Sequence, residues 1–189
     1  MASTKNNIPF RIIVIGGSAG SFKTTGMLLS DISDPANKCI VLCLHRWKEK
    51  TTDFTRSLNI KSRLPVIELF DKATLTPGKV HVVPANYHSY FTKDFKVILT
   101  NEEECCFSRP SIDICFSSAA KAFGNTVTGI LLSGANNDGA EGLLDIYNAG
   151  GKAIIHDPSE CEINIMPGEA LLLNPHVTIL KAEEIKKTL

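Results

Sequence analysis

Short runs of consecutive apolar residues, bounded by glycine, proline or polar residues, recur along this chain of 189 residues. Four of them occupy residues 11–15, 39–44, 128–132 and 152–156. Runs of this length without polar alternation are typical of strands buried on both faces. Residues 111–123, residues 140–149 and a segment that begins near Ser21 have the apolar spacing of amphipathic helices. Strands that alternate with helices predict an α/β fold: a doubly wound, mostly parallel sheet with helices on both faces.

The middle and the C-terminal part of the chain contain shorter elements. Further strands are predicted at residues 64–69, 79–84, 89–92, 95–100 and 177–180. Lys93-Asp94 joins two of these as a hairpin, so we expect the middle section to add an antiparallel excursion beside the parallel core. A short helix is predicted at residues 54–58, and Pro167-Gly168 is predicted to form a turn before another short helix.

Composition narrows the classes of protein to consider. The chain is 43% hydrophobic and 21% charged, with 20 basic and 20 acidic residues, which predicts one globular domain and gives no sign of nucleic-acid or anionic-membrane binding. No apolar run reaches membrane-spanning length, and residues 1–9 lack the apolar segment of a signal peptide, so we expect a soluble, cytoplasmic protein. The six cysteines include no C-x-x-C pair, which favours reduced thiols over disulfides or a zinc site.

The turn after the first strand carries the first candidate for chemistry. Gly16-x-Ser18-x-Gly20 lies between a strand and a helix and fits the nucleophile elbow, in which small neighbours let the chain turn sharply and leave the hydroxyl exposed. The helix that follows directs free backbone N–H groups towards a ligand above Ser18. The turn therefore predicts a serine nucleophile beside an anion-binding backbone.

Three other interpretations of this turn remain open. Ser18 or Ser21 is equally suited to cap the helix, which is the usual role of serine at such a position. A dinucleotide-binding turn needs glycines at a different spacing and an acid at the end of the second strand. A P-loop needs a glycine where Phe22 stands before Lys23-Thr24, so nucleotide binding is a near miss.

A serine nucleophile needs a base and an orienting carboxylate. His45 follows the second strand, and Asp138 lies where the strand at residues 128–132 leads into a helix. Because parallel strands end at one edge of a sheet, both side chains are predicted to lie near Ser18. The rival base is His156, and the rival acids are Asp157 and Asp53; His81, His88 and His176 are expected to be structural or exposed. The order serine, histidine, aspartate excludes the usual α/β-hydrolase arrangement.

Seven short sequence blocks occur in a fixed order. They are Ile15-Gly16-Gly17-Ser18-Ala19-Gly20; His45; Phe54-Thr55-Arg56-Ser57-Leu58-Asn59; Pro77-Gly78-Lys79-Val80 with Val83-Pro84-Ala85; Arg109-Pro110-Ser111-Ile112-Asp113; Leu132-Ser133-Gly134 with Asn137-Asp138-Gly139-Ala140-Glu141-Gly142; and Met166-Pro167-Gly168-Glu169-Ala170. In this order they resemble the catalytic domain of CheB-type protein-glutamate methylesterases of bacterial chemotaxis, over about residues 12–173. Each block alone is weak, but seven in order are specific.

The resemblance implies a reaction and a set of partners. Ser18 would attack the γ-methyl ester of a glutamate on a cytoplasmic chemoreceptor helix, His45 would pass the proton to the leaving methoxide, and Asp138 would steady the imidazolium. Backbone N–H groups near Ala19 would hold the oxyanion, certain glutamines would be deamidated, and no metal or organic cofactor is called for. Family members often carry a phosphorylatable receiver domain. We expect residues 1–189 to form the catalytic domain alone, with regulation absent or supplied by a separate protein.

The chain departs from the family pattern beside the predicted triad. The family usually has threonine at Ala19, methionine and glycine where Ala135 and Asn136 stand, and an apolar, proline-containing turn in place of residues 46–50 (RWKEK). A second hypothesis is therefore a catalytically impaired member that binds proteins. A third is nucleotide binding at residues 17–24.

Overall fold

The computed structural model of the chain describes residues 10–46 and 51–189, and the side chains of residues 51–53 lie outside that description. The strands are β1 (Arg11–Gly17), β2 (Lys38–Leu44), β3 (Val66–Glu68), β4 (Lys79–Val82), β5 (His88–Phe91), β6 (Val97–Thr100), β7 (Val127–Leu131), β8 (Lys152–His156) and β9 (Thr178–Leu180). The α-helices are α1 (Ser21–Leu29), α2 (Thr51–Lys61), α3 (Ile112–Phe123), α4 (Ala140–Asn148), α5 (Ile165–Leu173) and α6 (Ala182–Thr188).

Seven strands form one parallel sheet in the order β3-β4-β2-β1-β7-β8-β9. Strand β1 lies at its centre, where Gly17 pairs with Leu44 of β2 and Gly16 pairs with Leu131 of β7. The predicted α/β fold with a mostly parallel sheet is confirmed. Among the strands of the described residues, β5 and β6 alone form an antiparallel pair. Strands β3 and β4, which also belong to the middle section, extend the parallel sheet at its edge, so the antiparallel excursion is smaller than predicted.

Alternate residues of the central strands face two separate hydrophobic cores. Ile12 and Val14 of β1 lie with α3, α4, α5 and the β5-β6 hairpin on one face of the sheet. Ile13 and Ile15 lie with α1, α2 and α6 on the other face. This alternation explains why the strands lack polar positions: each side chain is buried by helices on its own side.

Two details of the C-terminal part differ from the sequence predictions. Pro167 and Gly168 do not form a turn but lie within the first turn of α5, where a missing proline N–H costs no helical hydrogen bond. Helix α6 was not predicted, since only Ile185 of its seven residues is buried and the apolar pattern is correspondingly faint.

Helix α2 is longer than predicted: it begins before and ends after residues 54–58.

In the part of the chain that the structure describes, no helix has the length and apolar character needed to span a membrane. The expectation that residues 1–9 contain no targeting segment falls outside the described residues. All six cysteines are described and are unpaired.

Candidate active site

Ser18 lies in the turn between β1 and α1. Gly20 has φ of +80°, and a Cβ added there would lie 2.7 Å from Ser133 Oγ, so this turn requires glycine. The backbone N–H and the hydroxyl of Ser21 donate to the Ser18 carbonyl at 3.0 and 2.6 Å. Helix α1 has Gly20 as its N-cap and no capping side chain, so the alternative in which Ser18 or Ser21 caps the helix is wrong.

The loop after β7 holds this turn in place. The Ser18 N–H donates to the Ser133 carbonyl at 2.9 Å, and Ser133 Oγ lies 2.8 Å from the Ala19 carbonyl oxygen. Ser133 Oγ also accepts a hydrogen bond from the Ile163 N–H at 3.0 Å. Hydrogen bonds therefore hold the backbone at Ser18 and at Ala19 to the loop after β7.

His45 reaches the same edge of the sheet because β2 is the neighbour of β1. Its backbone N–H donates to the Gly17 carbonyl at 3.0 Å, which continues the pairing of the two strands by one residue. The imidazole Nε2 lies 2.8 Å from Asp138 Oδ2. With the Nε2 proton directed at the carboxylate, the lone pair of the ring is on Nδ1, the nitrogen that is free to act as a base.

Asp138 is fully buried, and its carboxylate accepts four hydrogen bonds. Three of the donors come from the N-terminus of α3: Ser111 Oγ and the Asp113 N–H to Oδ1, and the Ile112 N–H to Oδ2, all at 2.8–2.9 Å. Burial by itself would raise the pKa of Asp138, but the hydrogen bonds from His45 and from the α3 backbone hold the pKa below its usual value. The carboxylate is thus kept ionised beside His45.

This support from α3 was missed in the sequence. Asp138 immediately precedes helix α4, yet the N-cap of that helix is Gly139, without a side-chain cap. Asp138 instead serves the N-terminus of a different helix, whose N-cap is Ser111. The block Arg109-Pro110-Ser111-Ile112-Asp113 indicates where α3 begins. It does not indicate which carboxylate lies at the N-terminus of that helix.

A pocket of about 500 Å³ opens over Ser18 and His45. It is also lined by Ala19, Gly20, Phe22, Arg46, Phe107, Ser108 and Asn136. Both candidate catalytic side chains face this pocket, although the structure has no hydrogen bond between Ser18 Oγ and the imidazole of His45. Catalytic hydrogen bonds are often long in free enzymes and shorten when substrate binds.

Comparison with known proteins shows which family the chain belongs to. A family model described as CheB methylesterase matches residues 13–189. The chain belongs to this family. A relative from Leptospira interrogans, described as a candidate protein-glutamate methylesterase/protein-glutamine glutaminase, is 33% identical over 176 residues, which cover 93% of this chain and 91% of the relative.

Other similar proteins extend the comparison. Protein-glutamate methylesterase/protein-glutamine glutaminase 3 of Pseudomonas aeruginosa is 30% identical over 93% of this chain, which spans 52% of that protein. The crystal structure of the Thermotoga maritima CheB methylesterase catalytic domain matches 96% of this chain with a TM-score of 0.88 at 24% identity. That structure supports the fold.

The rival candidates of the sequence analysis lie elsewhere. His156 ends β8, with Nδ1 3.2 Å from Cys161 Sγ and Nε2 3.5 Å from Glu160 Oε2. Asp157 accepts hydrogen bonds from Ser159 at the surface. The side chain of Asp53 is outside the described residues. His156 and Asp157 therefore contact neither Ser18 nor Asp138.

Two of the residues that depart from the family pattern, Asn136 and Arg46, make specific contacts in the structure. Ala135 is exposed, whereas Asn136 accepts a hydrogen bond from the Asp138 N–H at 3.3 Å and donates one to the Cys106 carbonyl at 3.2 Å. The buried guanidinium of Arg46 pairs with Glu68 at 3.1 Å and lies 5.0 Å from the centre of the Phe54 ring. Residues 47–50 lie outside the described part of the chain.

Within the described residues, one cluster has donor atoms close enough to hold a metal ion: Cys106 with the carboxylates of Asp113 and Asp138, all within 4.8 Å. Burial and the nearby Asp138 raise the pKa of Cys106 to about 12, so its thiol stays protonated. Both oxygens of Asp138 already accept two hydrogen bonds each. The cluster therefore suits hydrogen bonding better than metal ligation.

Asp113 is a second carboxyl group beside Asp138. Burial raises its pKa to about 6, against the opposing effect of the Gly142 N–H that donates to Oδ1 at 2.8 Å. The neighbouring charge of Asp138 raises it further. The folded protein therefore binds the Asp113 proton more tightly than the unfolded chain does, and stability falls as pH rises from about 4 to about 6.

Replacing Asp113 with asparagine should stabilise the protein above this pH range. Asparagine keeps an acceptor for Gly142 and removes the buried charge, which should raise the free energy of unfolding by about 1–2 kcal/mol at about pH 8, allowing for partial exposure. At about pH 4 the aspartate is protonated in the folded state, and the difference should vanish. Urea unfolding of both proteins at the two pH values measures this, and equal stability at about pH 8 would contradict it.

Proposed function

We propose that this chain is a serine hydrolase that cleaves glutamate γ-methyl esters on chemoreceptor-type proteins, with Ser18, His45 and Asp138 as its catalytic triad. The observation that carries the proposal is the 2.8 Å hydrogen bond between His45 and a buried, ionised Asp138, because His45 lines the same pocket as Ser18. Family membership supports the ester substrate, since relatives are named protein-glutamate methylesterases.

The reaction begins at Ser18. Its hydroxyl oxygen attacks the ester carbonyl carbon as Nδ1 of His45 takes the hydroxyl proton, and the negative charge develops on the former carbonyl oxygen. Backbone N–H groups at the start of α1, with that of Ala19 foremost, are the proposed donors to this oxyanion. The intermediate collapses when the methoxide leaves with the proton from His45 as methanol.

Water completes the cycle. His45 removes a proton from a water molecule, the resulting hydroxide attacks the acyl carbon, and the proton returns to Ser18 as the glutamate carboxylate is released. If the leaving group is ammonia instead of methanol, the same steps deamidate glutamine, which fits the second activity in the relatives' names.

The orientation of the imidazole is specific to this arrangement. In the serine-protease triad the acid binds Nδ1 and the serine faces Nε2, but here Nε2 faces Asp138. Nδ1 must therefore accept the proton from Ser18. A change in the Ser18 side-chain rotamer on substrate binding would form this hydrogen bond.

The proposal also includes the place where the reaction occurs and the way the substrate enters the pocket. Chemoreceptor helices carry such esters in the cytoplasm, which is where we expect this chain to act. The ester of a larger protein would enter the pocket that Ser18 and His45 line.

Covalent labelling tests the proposed nucleophile. A fluorophosphonate should modify Ser18 in the wild-type protein, and the rate should fall sharply in His45→Ala because the base is lost. Ser30→Ala, an exposed serine at the end of α1, is the matched control and should be labelled like wild type. Methanol release from a methylated receptor cytoplasmic fragment tests the substrate. An unlabelled Ser18 would contradict the proposal and favour the protein-binding alternative.

A further inference from the structure

A tight turn at the rim of the pocket has an unusual backbone. Residues 105–108 form it, with the Cys105 and Ser108 backbones exchanging hydrogen bonds at 3.0 and 3.2 Å. The two central residues, Cys106 and Phe107, have φ of +52° and +59°. Glycine and asparagine are the residues that normally occupy this left-handed region, because a Cβ is strained there.

Among the described residues, Phe107 is the most exposed of the large hydrophobic side chains, at 99%. Phe22, the other aromatic residue that lines the pocket, packs against Phe54 with 5.4 Å between ring centres. Phe107 thus combines a strained backbone with an unpacked ring, and strain of this kind is typically kept where it serves function.

The turn at residues 105–108 is hydrogen-bonded to the loop between β7 and α4, which carries Asp138. Asn136 donates to the Cys106 carbonyl at 3.2 Å, and its Oδ1 accepts the N–H of Asp138 at 3.3 Å. Phe107 and Ser108 line the same pocket as Ser18 and His45. The backbone that carries Phe107 is therefore tied to the loop that carries Asp138.

The geometry of a glutamate ester determines what lies beside this ring. The side chain of glutamate places its carboxyl carbon only about 4 Å from its own Cα, so the substrate backbone must pass close to the rim of the pocket. A polypeptide substrate therefore comes within contact distance of side chains at the rim, whereas a small ester does not extend beyond the pocket.

We propose that Phe107 is a specificity-determining residue that anchors the polypeptide substrate by packing on apolar side chains next to the reacting glutamate. This inference rests on the proposed function. The ring contributes to the binding of a protein substrate and has no part in the chemistry at Ser18. Exposed aromatic residues held in fixed positions are common anchors of protein recognition.

Two substrates separate anchoring from chemistry. Phe107→Ala should lower kcat/KM for a methylated receptor fragment about tenfold, mainly through KM, and should lower kcat/KM for p-nitrophenyl acetate by a much smaller factor, about twofold or less. Phe107→Asn, which suits the left-handed backbone, should have the same effect, because the ring and not the strain is responsible. Phe70→Ala is the matched control, since Phe70 is 70% exposed and lies outside the pocket.

Binding provides a readout that does not depend on turnover. In a Ser18→Ala background, adding Phe107→Ala should weaken binding of the methylated fragment about tenfold by titration calorimetry. Unchanged binding, or an equal loss with p-nitrophenyl acetate and the fragment, would overturn the anchor role, as would no binding of the fragment by Ser18→Ala alone. None of these outcomes bears on the proposed nucleophile, which is tested separately by covalent labelling of Ser18 and by the loss of p-nitrophenyl acetate hydrolysis in Ser18→Ala.

Discussion

Replacing Ser18 with alanine should lower kcat for methanol release from a methylated receptor fragment by about 10⁶-fold. The variant keeps the pocket and the hydrogen bond between His45 and Asp138, but it cannot form the covalent intermediate. Residual activity would come from backbone donors that stabilise direct attack by water. Single-turnover and steady-state assays of methanol measure the loss, with Ser30→Ala as the unaffected control.

The double variant Ser18→Ala, His45→Ala tests whether the two side chains act together. Residues that act in one proton-transfer unit are strongly non-additive, so removing the imidazole should cost little once the hydroxyl is gone. A loss of less than about tenfold in Ser18→Ala would show that this side chain is not the nucleophile, because covalent catalysis contributes far more than that.

The central part of the fold followed from the sequence because each central strand is uniformly apolar. Strand β8 occupies the predicted residues 152–156, and β1, β2 and β7 differ from their predictions by at most two residues at an end. The predicted membership of the CheB methylesterase family is confirmed, and so is the methylesterase class assigned to it. The catalytic roles of Ser18, His45 and Asp138 remain a proposal.

The features of the site that could not be predicted from the sequence depend on contacts between residues far apart along the chain. The βαβ pattern predicts that His45 follows a strand next to the one that carries Ser18, and the structure confirms this pairing of β1 with β2. Nothing local indicates that the N-terminus of α3 donates to Asp138. Those donors come from residues about 26 positions away along the chain. The exposure of the Phe107 ring could not be predicted from the sequence either, since an aromatic residue in a polar segment gives no sign of a left-handed backbone.

The contacts of α3 give Asp138 two functions at once. The carboxylate neutralises backbone donors at the helix N-terminus and also fixes the tautomer of His45. A carboxylate suits this place because both oxygens accept hydrogen bonds only. Position 138 is therefore sensitive to substitutions that preserve size but change hydrogen-bonding character.

Asp138→Asn should reduce kcat for methanol release by about 10⁴-fold. Whichever way the new amide is turned, its NH₂ group faces donors: the Ile112 N–H and His45 on one side, or the Asp113 N–H and Ser111 Oγ on the other. When NH₂ faces His45, the imidazole must take the tautomer with its proton on Nδ1, which leaves no base for Ser18.

Asp113→Asn is the matched control for this prediction. It makes the same change at the adjacent carboxyl group, whose acceptor role towards Gly142 an amide oxygen can fill, so most of the activity should remain. Thermal melting followed by circular dichroism separates a catalytic loss from unfolding, because Asp138→Asn also leaves buried donors of α3 unsatisfied. If Asp138→Asn is folded and still works at a rate near wild type, Asp138 does not orient His45, and the imidazole is held for catalysis by other contacts, such as the backbone bond from its N–H to Gly17.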